Sequence, residues 1–460
     1  MVRSSQALQL FRLVAALMPS VRRADRTIQF RQRALYTGLS VSVFLVCSHL
    51  PLYGTNFTST AADPLYYVRT ILASSRGTLM ELGVAPIVTA GTVMQLLAGS
   101  GLLGRVDQSV REDRELMDAG RKALALAIAV GEAAAHVALG AYGAVGPFNS
   151  ALIVLQLVSA SAIVVFIEDL LEKGYGLRGA SAVSLLAATS TCGKVMWHAF
   201  SPVTINTGRG PEFEGLVLAA VHRAFLGADK LVATLLRQHL PNMTQLLATG
   251  VVMLTAVFLE GLRVPLPLRH TDGRRGRGTT TTIFPIKLLY TSTMPVVLHS
   301  AVVSFLYMVS QLLHRGQFLG ARLLGTWKDA VPVGGLAYYV TPPAGLAHVA
   351  ADPAHAVVYV LLLLASCAML SRAWVEASGS SAKDVVRQIA DQRLAVQGGR
   401  EGDVYSKLKR YIPTAALLGG LCVGGLTILA DTTGAIGSGT GILLAATTVY
   451  NLVDNFKKQD

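Results

Sequence analysis

The chain is predicted to be an all-α polytopic membrane protein with ten transmembrane helices, on three observations. First, stretches without a single Asp, Glu, Lys or Arg recur along the 460 residues, among them 82–104, 243–259, 288–313 and 432–453. About 20 apolar residues at helical rise match the hydrocarbon thickness of a bilayer, and ten such stretches cannot share one soluble core. Second, only 15% of the residues are charged and mean hydropathy is +0.50. Third, the remaining charge is concentrated between the apolar stretches and is mostly basic, with a net charge of +13.

The elements follow in order. Residues 1–33 form an N-terminal arm. Within it, 5–18 set Leu8, Leu10, Phe11, Val14 and Leu17 at helical spacing opposite Arg3 and Arg12, the pattern of an interfacial amphipathic helix rather than a cleavable signal. The first span is 34–50. Segment 60–75 is too short and polar to cross; Asp63-Pro64 suits a helix start, and Leu65, Tyr66, Val68, Ile71 and Leu72 continue one short helix. The next spans are 78–103, 119–142 and 147–168, with Gly146-Pro147 breaking the run 123–167 into a hairpin. Span 179–198 completes the first part, 34–200. In the second part, 201–460, the spans are 242–260, 288–312, 355–371, 413–430 and 435–454, separated by long loops at 261–287 and 372–412. All spans are helices, because an open sheet edge cannot survive in lipid.

Ten spans put both termini on one side. With that side cytosolic, the arm, the loops 101–122, 169–178, 261–287 and 372–412, and the tail hold 30 of the 40 Lys and Arg residues. The positive-inside rule then places both termini in the cytosol. Loop 269–278 is arginine-dense and 372–412 is long enough to project. Contact with anionic lipid and docking to a polyanion such as RNA both fit them.

Glu132 is the one acid read in mid-span. A carboxylate at that depth marks a functional site by default, so Glu132 is expected to face a polar interior, either protonated or paired with His136 one turn on. His136 alone reads as a packed residue. Cys47, Cys192, Cys367 and Cys422 read as small packing residues. Gly420-xxx-Gly424 and Gly437-xxx-Gly441 have the spacing of close helix contacts. Asn56-Phe-Thr58 and Asn242-Met-Thr244 are glycosylation sequons close to the membrane and are expected to be mostly unused. Lys457-Lys458 near the C-terminus has the form of a dilysine retrieval signal, or is the basic end of the last span. No metal-ligand spacing, phosphate loop, nucleophile elbow or paired carboxylates are found, so neither catalysis nor a cofactor is expected.

Several ordered blocks carry a resemblance. They are Pro51-Leu-Tyr-Gly54, the run Ala62-Asp-Pro-Leu-Tyr-Tyr-Val-Arg-Thr-Ile-Leu72 that continues to Gly91, Lys173-Gly-Tyr-Gly-Leu177, Asn206-Thr-Gly-Arg-Gly-Pro-Glu-Phe-Glu-Gly215, Gly379-Ser-Ser-Ala-Lys-Asp-Val385 and Gly434-Ala-Ile-Gly-Ser-Gly-Thr-Gly-Ile442. Over nearly its whole length the chain resembles the eukaryotic Sec translocon alpha subunits of the SecY family of protein-conducting channels.

The resemblance implies two inverted, pseudo-symmetric halves enclosing an hourglass pore in the endoplasmic reticulum membrane. It implies a pore ring of Val84, Val88, Val183, Ala187, Val297 and Leu444, where the family usually carries isoleucine. It implies a plug at 60–75, with Arg69 and Glu81 at positions that influence closure. It implies a lateral gate between spans 2 and 3 and spans 7 and 8, with a polar patch at Thr89, Gln95 and Glu132; the usual asparagine of span 7 is Phe305 here. Ribosome docking falls to Arg275, Arg277 and Arg400. The implied partners are beta and gamma subunits, a ribosome, a nascent polypeptide with its signal sequence, motor or accessory proteins, and membrane lipid. Two other readings stay open at this point: a polytopic secondary transporter, and a non-translocating ribosome-binding paralogue.

Overall fold

In a computed structural model of the chain, the described residues are 21–23, 28–55, 66–99, 111–140, 142–143, 145–177, 181–206, 211–224, 237, 240–270, 281–291, 293–316, 321–328, 331–343, 346–391, 394–396 and 401–457. The amphipathic segment 5–18, the sequon Asn56, Asp63-Pro64 and the residue Lys458 lie outside them.

Helices occupy all ten expected span positions. In the first part they are α1 (Phe30–His49), α3 (Ala85–Gly99), α4 (Arg111–Ala138), α5 (Pro147–Leu170) and α6 (Ala182–Phe200), with a short helix α2 (Tyr66–Ile71) between the first two. In the second part they are α8 (Met243–Gly261), α9 (Met294–Arg315), α13 (Pro353–Ala377), α15 (Glu401–Thr433) and α16 (Gly439–Lys457). Shorter helices lie between them: α7 (Leu216–Ala224), α10 (Ala321–Leu324), α11 (Leu336–Val340), α12 (Leu346–Ala351) and α14 (Ala382–Asp391). Among the described residues, five helical stretches are long and apolar enough to cross a membrane by length and composition alone. Of the others, α3 is short, α4 begins with charged turns between Arg111 and Lys122, and α6 carries Lys194 and His198 within 19 residues.

Several boundaries follow from local chemistry. Gly146 precedes Pro147 at the first position of α5, where the missing N–H of proline costs nothing. The second span begins at Ala85, not at 78. Residues 72–84 turn instead, because Gly83 adopts φ +57 and a Cβ there would meet the Leu72 carbonyl at 2.2 Å. The ninth span is the inner part of one long helix from Glu401, with Pro413 inside it, so the last twelve residues assigned to loop 372–412 are helical. Asp352 caps α13, accepting from the His355 N–H and from the Tyr338 hydroxyl. Those bonds hold its carboxyl below the usual carboxylate range.

Short strands supplement the helices, all outside the span helices. They are β1 (Thr204–Asn206) with β2 (Pro211–Phe213), β5 (Thr326–Lys328) with β6 (Val331–Gly334), and a three-stranded sheet in the order β4-β3-β7. In that sheet β3 (Arg263–His270) pairs antiparallel with β4 (Thr281–Lys287) and with β7 (Leu394–Val396), with Arg269 opposite Ala395. The two long basic loops are therefore joined by one sheet.

Small residues let the span helices approach closely. A Cβ on Gly420 would meet the Cys367 carbonyl at 2.7 Å, bringing α15 against α13, and one on Gly441 would meet Thr191 Oγ1 at 2.5 Å, bringing α16 against α6. Cys47 and Cys367 are buried in such contacts, whereas Cys192 is exposed and fills no gap.

Candidate functional site

The short helix α2 lies at the centre of the bundle. Ile71 and Leu72 at its end belong to one buried apolar cluster with Val84 before α3, Val88 of α3, Ala187 of α6, Val297 and Val303 of α9 and Leu444 of α16. Val183 packs against the cluster as a partly buried member. All six side chains expected in the pore ring thus converge from four span helices and the turn before α3, and α2 sits on them. The Val84 N–H donates to the Leu72 carbonyl at 2.8 Å, fixing α2 to the start of α3.

Polar contacts hold α2 from two sides. Arg69 Nη1 lies 3.4 Å from Glu81 Oε1, and the second oxygen of Glu81 accepts from the Gly77 N–H at 3.3 Å. The Glu81 side chain is only 2% exposed. The pair is largely buried, and removing one partner of a buried pair is strongly destabilising. On the opposite side, Lys194 Nζ of α6 donates to Thr70 Oγ1 at 3.1 Å.

Beside α2 an open cleft runs between α3 and α4 on one flank and α9 on the other. Thr89, Glu132, His136, Ser304 and Phe305 line it, and Arg69 and Glu81 reach it from the plug side. Glu132 and His136 share the cleft wall, but among the described residues no ion pair joins them, which corrects that part of the expectation. Gln95 does not line the cleft and is exposed. Six residues advance a helix by about 600°, which puts Gln95 roughly 240° around α3 from Thr89. At one end of the cleft Arg315 Nη1 of α9 donates to the Ala138 carbonyl at 2.8 Å. It thereby satisfies an orphan carbonyl at the negative end of α4.

Three residues escaped the sequence reading. Lys194 and Asp431 both sit in span helices, and Asp431 is buried although it lies near the end of its helix. Asp431 falls one residue beyond the stretch read as the ninth span. The signal for Lys194 was available, since a lysine inside a span is expensive unless something holds it. Arg315 shows no sequence signal, because its partner is a backbone carbonyl.

Arg275, Arg277 and Arg400 lie outside the described residues. The hairpin that carries the first two is anchored at its base: Lys287 Nζ is 2.9 Å from Glu260 Oε1 and 3.3 Å from Asn451 Oδ1, and Arg263 meets Tyr450 and Asp454. Lys287 and Arg263 are therefore engaged by α8 and α16 rather than free for a polyanion.

Comparison with known proteins agrees with this geometry. The SecY family matches residues 78–453, and the plug domain of Sec61p matches residues 43–77. The Sec61 alpha subunit of Dictyostelium discoideum, described as a protein transport protein, is 46% identical over 458 residues, 96% of this chain and 95% of that one. A solved protein-conducting channel superposes with a TM-score of 0.79 at 29% identity, covering 97% of this chain and 96% of the other. Sec61 from the canine ribosome-channel complex of the endoplasmic reticulum gives 0.76 at 29% identity, with the same coverage.

Proposed function

The chain belongs to the SecY family and is the pore-forming subunit of a protein-translocation channel, and from that premise we propose how its own residues do the work. Residues 34–200 and 201–460 are the two halves, and the polypeptide passes between them through the ring of Val84, Val88, Val183, Ala187, Val297 and Leu444. The convergence of these six side chains with Ile71 and Leu72 in one cluster carries this reading. In the idle channel α2 seals the ring as the plug, held by Arg69–Glu81 and Lys194–Thr70. A crossing chain displaces α2, and the ring closes around it by apolar contact.

Signal sequences and membrane spans leave sideways through the cleft lined by Thr89, Glu132 and Phe305. An apolar helix entering it meets a wall that is mostly apolar, with Glu132 and His136 as polar exceptions. Phe305 on α9 gives this gate a greasier side than a patch of three polar groups.

The channel has no energy source among its described residues, so a translating ribosome or a motor protein drives transport. The sheet that joins the two basic loops supports docking of a ribosome on the cytosolic side, with Arg275, Arg277 and Arg400 contacting RNA phosphate. Both termini are cytosolic, beta and gamma subunits complete the complex, and the membrane is that of the endoplasmic reticulum.

The test is a stalled secretory chain carrying a photoreactive residue in mid-channel. Crosslinks should form at Val88 and Val297. Ribosome-bound complexes that give crosslinks only at outward-facing positions such as Leu254 and Leu361 would overturn the pore assignment. Cosedimentation with ribosomes in detergent, lost on Arg400→Glu, tests docking separately.

A further inference from the structure

A second cavity lies inside the bundle of the C-terminal half, next to the plug helix. Asp431 and Thr427 of α15, Ser438 and Thr440 at the start of α16, Tyr359 of α13 and His299 of α9 line it, and Ile71 of α2 closes one side. Asp431 is 4% exposed. Its Oδ2 faces the Tyr359 hydroxyl at 3.5 Å, at the outer limit of a hydrogen bond. Its Oδ1 is buried and has no hydrogen-bond partner among the described residues. Buried carboxylate oxygens are normally satisfied, so an orphan one needs an explanation.

The neighbouring hydroxyls offer oxygen lone pairs, and one of them, Thr427, has already committed its proton. Thr427 Oγ1 donates to the Val423 carbonyl at 2.9 Å, and Ser438 Oγ accepts from the Gly441 N–H at 3.3 Å. Ser366 Oγ donates to the Leu363 carbonyl at 2.9 Å, so in its 2.9 Å contact with His299 Nδ1 the ring supplies the proton. No Lys or Arg lines the cavity among the described residues. The end of α15 adds the negative pole of one helix dipole, and the start of α16 at Gly439 turns the positive pole of another toward the same carboxylate. The turn after it brings Ser438 and Thr440 back to this cavity, with Ser438 itself at φ 65.

We propose that Asp431, with the hydroxyls of Thr427, Ser438 and Thr440, binds a small monovalent cation. Oxygen donors of this kind select hard cations. One carboxylate neutralises one positive charge, and among the described residues no group of three or more His, Cys, Asp or Glu could hold a divalent or transition metal. A discontinuity between helices, with an acid and oxygen donors turned inward, is also how membrane proteins hold sodium. The competing occupant is a proton on Asp431, which would need no metal.

The purified complex in detergent decides between them by thermal unfolding in sodium, potassium or choline chloride at equal ionic strength. Sodium or potassium should raise the melting temperature over choline by about 2 °C or more, growing with the logarithm of concentration. Asp431→Asn should abolish that difference while melting no lower in choline than wild type. Should that variant not assemble, Thr427→Val, which keeps the carboxylate and removes one donor, should shift the half-maximal cation concentration upward about tenfold. Equal melting in all three salts, or an unchanged sodium effect in Asp431→Asn or Thr427→Val, overturns the proposal. Calcium stabilising more than sodium at equal concentration overturns the monovalent assignment.

Discussion

Lys194 donates to the hydroxyl of Thr70 at 3.1 Å, tying the span helix α6 to the short helix on the apolar ring. Thr70 is fully buried. An ammonium in a span has few places to discharge its donors, so this contact favours the state in which α2 is seated. A net gain of about 1 kcal/mol for such a hydrogen bond makes the unseated state about fivefold rarer. Lys194→Met and Thr70→Val should each raise the idle ion conductance of reconstituted channels about that much. The double variant should add nothing further, because each single change already removes the interaction. Conductance equal to wild type in Lys194→Met sinks the latch.

Glu132 faces the same cleft as Thr89 and Phe305, the one proposed above as the lateral exit. Glu132→Leu removes the acid from that wall and should lower the hydrophobicity a signal sequence needs for insertion. Glu132→Lys, which places a positive charge in the cleft that Arg69 and His136 also line, should disturb closure and raise leak. Insertion measured across a graded series of signal sequences reads both effects. An unchanged threshold in both variants would remove Glu132 from the gate.

Much of this was legible in the residues, for reasons that differ from element to element. Spans such as Met243–Gly261 and Met294–Arg315 were readable because lipid demands an uninterrupted apolar helix. Gly146-Pro147 marked its hairpin because proline fixes where a helix can start. The start of α3 was misread because Gly83 and Leu72 make contact only after the chain folds back. The sheet joining β3, β4 and β7 was hidden for the same reason, since β7 lies more than a hundred residues beyond its partner. The ring could be named only by resemblance: nothing in a valine at position 88 or 297 distinguishes a pore wall from a lipid face. Lys194 and Asp431 were legible as expensive residues, but their partners Thr70 and Tyr359 come from distant elements.

Gly420 and Gly425 lie on the same helix in opposite situations. A Cβ at Gly420 would press on the Cys367 carbonyl at 2.7 Å and on Ser371 Cβ at 2.9 Å, whereas one at Gly425 meets nothing within 4 Å. Gly420→Ala must push α15 away from α13, at about 1–3 kcal/mol for overpacking. Gly425→Ala gains helix propensity at no steric expense, up to about 1 kcal/mol. Thermal unfolding of the two variants should therefore move in opposite directions from wild type. A Gly420→Ala protein as stable as Gly425→Ala would mean that α13 and α15 are not in this contact.

Asn242 forms a sequon with Thr244, but its side chain already has other work. Oδ1 accepts from the Gln245 N–H at 2.9 Å and from Thr244 Oγ1 at 2.7 Å, Nδ2 donates to the Arg237 carbonyl at 3.2 Å, and Gln245 reaches back to the Asn242 N–H. This reciprocal cap starts α8. A glycan on Nδ2 would have to break the bond to Arg237 and pull the amide out of the cap, in a segment that leads directly into a span. Asn242 should therefore carry no glycan, and endoglycosidase treatment should leave the mobility of an Asn56→Gln protein unchanged. Asn242→Ala should instead lower stability by about 1 kcal/mol through loss of the cap. A mobility shift in the Asn56→Gln background, with no stability loss in Asn242→Ala, would reverse the assignment and make position 242 a modification site rather than a helix start.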